Sequence, residues 1–324
     1  MKLTQSLFIV ALISVVAACG SKSGSHAVPG TVNTGSSAAR GNASAEEVAE
    51  EARKGLDCPA RVRTAARDPQ APADDVVGVR PGLTYEEAAN LVLCTNELLV
   101  LQPNAGRGVN IQTYGATLRQ GFGARFAEPR VEKTSRQIMQ EMQDEAIARG
   151  GNAVRHDMKP GQAKWYVGTM GLPGQERVIS AAREEWYAEG KNPTIASVEQ
   201  ALVAKYGTPT RTMRSPGQLT LTWAHDPRGR LVTETSPLYN QCTGTASPDG
   251  GTNYNPDCGI VVMAIVVPVP SNDALARNID VGVVDQAGGY QSITATEQAL
   301  AAQESQRKAQ QVQDASKNAD KPTL

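Results

Sequence analysis

Residues 194–223, TIASVEQALVAKYGTPTRTMRSPGQLTLTW, change from the hydrophobic period of a helix to that of a strand within one passage. Thr194 can cap a helix, Ile195, Val198, Leu202 and Tyr206 fall on one face, and Gly207-Thr208-Pro209 stops it with a left-handed cap followed by proline. Beyond the stop, Leu219, Leu221 and Trp223 alternate with Thr220 and Thr222, the pattern of a half-buried strand. Asp226-Pro227-Arg228-Gly229 makes a turn, from which Leu231 to Thr235 is expected to return antiparallel as a hairpin. A helix feeding a hairpin predicts an α+β fold, an antiparallel sheet packed with helices, in one body or two modules.

Working outward, Pro81-Gly82-Leu83-Thr84-Tyr85-Glu86-Glu87 opens a second helix. Thr84 caps it, Glu87 reaches back, Ala88, Leu91 and Val92 share a face, and the helix should end near Cys94. Alternation predicts a strand at Val109 to Thr113. Val131, Ile138, Met142 and Ala146 predict an amphipathic helix from Val131 to Arg149 with a solvated charged face. Trp165 to Thr169 reads as a strand, and Gln175 to Tyr187 as a helix buried along Val178, Ile179, Ala182 and Trp186. The continuous apolar run Ile260 to Val267 predicts a strand covered on both faces, and Ile279 to Val284 another. From Thr294 onward Ala, Gln, Glu and Lys predict an exposed helix fraying into disorder.

The order at Thr194 to Trp223, a helix, Tyr206-Gly207-Thr208-Pro209 and a tryptophan-bearing strand, resembles the small lipoprotein module of the outer-membrane barrel assembly machinery. Gly82-Leu83-Thr84 resembles the opening of the same module. The first copy has Cys94 in place of the Gly-x-Pro stop, and the second lacks the opening glycine. The resemblance implies a non-enzymatic scaffold of α+β modules that binds other envelope proteins.

The chain starts with Met1-Lys2, an apolar core from Leu7 to Val16, and Val16-Ala17-Ala18-Cys19-Gly20, the charged, apolar and small-residue regions of a secretory leader. The apolar run is too short to span a bilayer comfortably. Val16 to Cys19 resembles the lipobox of bacterial lipoproteins, which implies cleavage before Cys19, a diacylglyceryl thioether on its sulfur and an acylated amine. Several acyl chains hold a protein on a membrane almost permanently. Gly20 stands where, by the family's sorting rule, an aspartate would retain the protein at the inner membrane. The expected location is therefore the outer membrane, facing the periplasm. Residues 21–45, rich in Gly, Ser, Ala, Thr and Asn, have the composition of a tether. The expected organisation is a signal peptide at 1–18, a lipidated tether at 19–45, an N-terminal module at 46–155, a C-terminal α+β module at 156–291 and a polar tail at 292–324.

An exported chain meets oxidising conditions, and without Cys19 four cysteines remain. Local pairing predicts Cys58 with Cys94 and Cys242 with Cys258, and neither pair has the close Cys-x-x-Cys spacing of a zinc site. A net charge of -1 and 4% aromatic residues argue against nucleic acid as a partner. The three histidines, His26, His156 and His225, give a poor inventory for imidazole metal sites or triads, and no cofactor is expected. Three places carry candidate chemistry. Gly168, Gly171 and Gly174 lie between a predicted strand and a predicted helix, where backbone amides and the helix dipole can hold an anion, although the spacing matches no nucleotide loop and glycines serve ordinary turns. Asp249, Asn253, Asn255 and Asp257 could collect around calcium inside the Cys242–Cys258 loop, yet they lack the terminal glutamate and are also turn formers. Glu176, Glu184, Asp226 and His225 could serve a hydrolase if two of them meet, but Glu184, with Glu185, also suits a polar helix face. Binding to envelope proteins is the leading expectation. A periplasmic inhibitor of a wall hydrolase, with the Cys242–Cys258 loop as plug, and an envelope hydrolase are the alternatives.

Overall fold

The computed structural model describes residues 41–103, 108–149, 158–318 and 320. Eight antiparallel strands form one sheet: β1 (Leu99–Pro103), β2 (Gly121–Phe126), β3 (Ala163–Met170), β4 (Arg177–Trp186), β5 (Arg211–Ser215), β6 (Gln218–Ala224), β7 (Ile260–Val269) and β8 (Asn272–Asp285). Their order across the sheet is β1-β2-β3-β4-β8-β7-β6-β5. Among the described residues five helices accompany them: α1 (Ala45–Ala52), α2 (Tyr85–Leu93), α3 (Ser135–Arg149), α4 (Ile195–Tyr206) and α5 (Gln286–Asn318). The fold is α+β, with α2 and α4 against the sheet.

The strand order is two copies of one pattern. In each half a helix precedes a four-strand meander, α2 before β1 to β4 and α4 before β5 to β8, and the halves join where β4 pairs with β8. The backbone repeats in detail. Thr84 caps α2 and bridges to Arg177 at the start of β4, while Thr194 caps α4 and bridges to Leu275 near the start of β8. The expected boundary at 155/156 falls between β2 and β3, which pair from Gly121↔Gly168 to Ala124↔Trp165, so the sheet runs across it.

The main core lies between the helices and one face of the sheet, where Leu83, Ala88, Val92, Phe122, Trp165, Val167, Ala181, Leu202, Leu221, Trp223, Val262 and Val283 pack together. Trp223 explains the Gly207 stop. Its indole nitrogen donates to the Gly207 carbonyl at 2.8 Å, and its ring lies 5.2 Å from that of Tyr206, so the helix end is held by the strand it leads to. Gly207 takes φ 81°, which favours glycine. α2 has the capping box read from Thr84 and Glu87 and ends at Cys94, where the disulfide to Cys58 takes the place of a glycine stop.

Several expectations need correction. Gln175 to Tyr187 is strand β4, not a helix. It is a central strand, paired with β3 and β8 and buried on both faces, so its apolar residues carry no period-two signal. A bulge that leaves Ile179 without a partner shifts its register again. Val109 to Thr113 is not a strand; β1 and β2 pair with each other, and a turn at Tyr114 and Gly115, φ 51° and 88°, follows this stretch. Leu231 to Thr235 returns only as a bridge from Leu231 to His225, because β5 and β7 already occupy the two edges of β6. The helix at 131–149 begins at Ser135, and Val131, Ile138 and Met142, its expected apolar stripe, stand exposed. The last residues of the expected tether are also tied down: Ala43 bridges to Arg130, and Ser44 caps α1. The helical tail is present as α5, which starts earlier, at Gln286, and buries Thr296 and Leu300.

Candidate functional site

Both cysteine pairs form disulfides, Cys58 with Cys94 and Cys242 with Cys258. Cys19 lies outside the described residues, as do His26 and His156.

The glycine loop joins β3 to β4, so no helix dipole points into it and the basis for an anion cradle is gone. Its glycines meet local packing needs. A Cβ on Gly168 would lie 2.5 Å from Ser180 Oγ on the neighbouring strand, and one on Gly171 would lie 2.8 Å from the Gln175 carbonyl. Gly174 has φ 79° in the turn.

The Cys242–Cys258 loop is laid against the sheet. Gly282 of β8 has no room for a Cβ because the Thr245 carbonyl occupies that position, and the Tyr254 ring crowds Gly289. Asn255 accepts from the backbone of Asp257, as turn residues do, and its own N–H donates to Gln286. Asp249 pairs with Lys164. Among the described residues no His, Cys, Asp or Glu side chains form a group of three placed to hold a metal ion.

Each candidate acid–base residue is bonded to a partner outside the set, although His225 also feels the charge of the adjacent Asp226. Glu176 lies beneath Arg119, which donates Nη2 to it at 2.8 Å and Nη1 to Glu86 of α2 at 2.6 Å, with the guanidinium 4.3 Å from the Tyr85 ring centre. Burial pushes the Glu176 carboxyl up, but hydrogen bonds from Arg119 and the backbone outweigh it and hold the group below the usual carboxylate range. Glu184 pairs with Lys164 at 2.9 Å and accepts from Trp186 Nε1 at 2.7 Å. Asp226 organises its turn, accepting from the backbone of Arg228 and Arg230 and from the Arg230 side chain. Burial pushes buried His225 below the usual imidazole range, and its Nδ1 lies 3.3 Å from the Ile260 carbonyl. Asp280, unnoticed in the sequence, is pushed up to about 7 by burial and by the charge of Glu184.

An apolar cleft lies on the helix-covered face of the sheet. The cleft, of about 370 Å³, opens between α4 and the β4–β8 seam, where the two halves meet. Its walls are largely apolar, with Val198 and Leu202 of α4 facing Ile279 and Val281 of β8. The turn Asp75 to Val79 contributes Val76 and Val77 to it, held to α4 by Lys205 and by the Tyr206 hydroxyl, both bonded to Asp75. Arg183 and Glu185 of β4 supply charge, joined at 2.6 Å.

Sequence reading missed this cleft because Gln175 to Tyr187, taken as a helix, is the strand that brings Arg183 and Glu185 to it. The Val77-Gly78 pair after two aspartates was an available turn signal.

The chain matches no known family model, no curated protein and no solved structure in comparisons with each. The fold and the cleft define it as an α+β protein with an eight-stranded antiparallel sheet and an apolar cleft at its central seam.

Proposed function

We propose that this chain is an exported lipoprotein, anchored through Cys19 to the outer membrane and facing the periplasm, that works by binding other envelope proteins without catalysing a reaction. The observation that supports the binding reading is that Glu176, Glu184, Asp226 and His225 are each bonded to a separate structural partner outside the set. The two disulfides support an oxidising compartment. The repeated helix-and-meander halves agree with the tandem module implied by Gly82-Leu83-Thr84 and Tyr206-Gly207-Thr208-Pro209. The alternative of an inhibitor with the Cys242–Cys258 loop as plug is disfavoured by that loop's close packing on its own sheet.

Palmitate labelling of the wild type and of Cys19→Ala tests the anchor, with label expected only in the wild type. Equal labelling, or a mature chain that keeps residues 1–18, overturns the location. Reciprocal purification from detergent-solubilised envelopes, each partner recovering the other, tests the binding role; a wall hydrolase recovered in this way would replace scaffolding with inhibition. Loss of envelope integrity on Glu176→Gln, Glu184→Gln or Asp226→Asn, in variants that fold as the wild type does, would restore the hydrolase reading.

A further inference from the structure

Arg183 is a charged residue on the core face of a central strand. Across the sheet its neighbours in register are Trp165, Val281 and, beyond Val281, Ala264, all facing the helices. Its side chain is 20% exposed, and among the described residues Glu185 is its only hydrogen-bonded partner, reached through Nη1. Its Nε is buried with no acceptor. The guanidinium stands 5.6 Å from the ring centre of Trp165, whose own indole N–H is also buried without an acceptor. Buried donors are rarely left unpaired, and Arg183, unlike Trp165, lines the cleft, so its guanidinium points to an acceptor supplied from outside.

The mouth of the cleft is strained. Val77 has φ 48° in the two-residue turn between Val76 and Val79, a conformation unfavourable to a β-branched side chain, and it is 51% exposed. Asparagine or glycine would sit there at ease. An apolar residue in a strained position beside a cavity fits a contact made with a ligand. The volume suits a chain of about a dozen methylene-sized groups, at the roughly 30 Å³ each that a water occupies in the liquid.

We propose that the seam cleft binds an amphipathic carboxylate, an acyl chain lying between α4 and β8 with its carboxylate on the Arg183 guanidinium. A planar carboxylate matches the guanidinium fork, and the apolar walls exclude the water that would compete with it. Glu185 holds Nη1, leaving Nη2 for the incoming acceptor. The inference stands apart from the scaffold reading and needs neither the anchor nor a protein partner.

Calorimetric titration of the full chain with hexanoate, octanoate and decanoate tests it, with 1-decanol as the chain without the charge. Saturable binding below the micellar range is expected, tightening by up to about fourfold per methylene until the cleft is full. Decanol should bind more weakly than decanoate, and Arg183→Met should weaken decanoate by at least about tenfold. Ala201→Trp, at an exposed position on the cleft wall, should fold normally and block the cleft even if Arg183→Met does not fold. No saturable binding, equal binding by decanol, or full binding by Ala201→Trp overturns the proposal.

Discussion

Thr84 and Thr194 hold equivalent places in the two halves of the sheet: each caps a helix with its hydroxyl, and each bridges through its backbone to the last strand of its own meander. The cap joins helix to sheet at the same point twice. Replacing either hydroxyl leaves the bridge but removes the acceptor for a helix N–H, at a cost of about 1 kcal/mol. Thr84→Ala should be the more damaging, because Glu87, which completes that capping box, also accepts from Arg63 and Thr64. Urea midpoints of the two variants check the order, and a silent Thr84→Ala would contradict it.

Arg119 ties three elements by bonding Glu176 before β4 and Glu86 on α2 while covering Tyr85. Glu176 has only 1% of its side chain exposed, so Arg119→Met leaves a nearly buried carboxylate without its countercharge. Since Arg119 is itself 36% exposed, the expected loss is about 2 kcal/mol, below that of a fully buried pair. Adding Glu176→Gln removes the stranded charge and should recover part of it. If the double variant is as unstable as the sum of the two singles, the pair is not coupled.

The Asp280 carboxyl is raised to about 7 from an ordinary value near 3.8, first by burial and then by the Glu184 charge. A carboxyl raised on folding contributes fully below its unfolded value, and that contribution is lost as pH climbs through about 7. Glu87 acts in the opposite direction. Burial raises it, but the Thr64 hydroxyl and the backbone N–H groups of Thr84, Thr64 and Arg63 hold it down to about 2, so its contribution is lost as pH falls below about 4.5 towards 2. These two groups together place their best stability in mildly acidic solution. Asp280→Asn should flatten the decline between pH 4 and 8 and unfold at a higher urea midpoint than the wild type at pH 8. Parallel pH curves for the two proteins would refute this.

Val77→Asn relieves the φ 48° conformation, since asparagine tolerates the left-handed region. The variant is expected to gain about 1 kcal/mol despite removing an apolar side chain. A thermal midpoint below that of the wild type would mean that Val77 packs more strongly than it is strained.

The sequence was legible wherever one signal stood for one structure. Thr84 with Glu87, Thr194 with the Gly207 stop, the alternation through Trp223 and the run Ile260 to Val267 each have a local cause, and each element formed where it was read. The cysteine pairs followed from chain proximity and compartment chemistry. β4 was not legible, because a strand buried on both faces loses its alternation, and with the bulge at Ile179 its apolar residues imitate a helical stripe.

That misreading hid the cleft. By itself the sequence determined the α+β class, the capped helices and the bridges, since those depend on neighbours a few residues apart or on residue chemistry. Only the tertiary structure decided that two meanders join at β4 and β8, that Arg183 turns toward the core instead of water, and that Glu176, Glu184 and Asp226 are kept apart. Strand pairing over long separations is set by which faces can be buried together, and no local pattern carries that information.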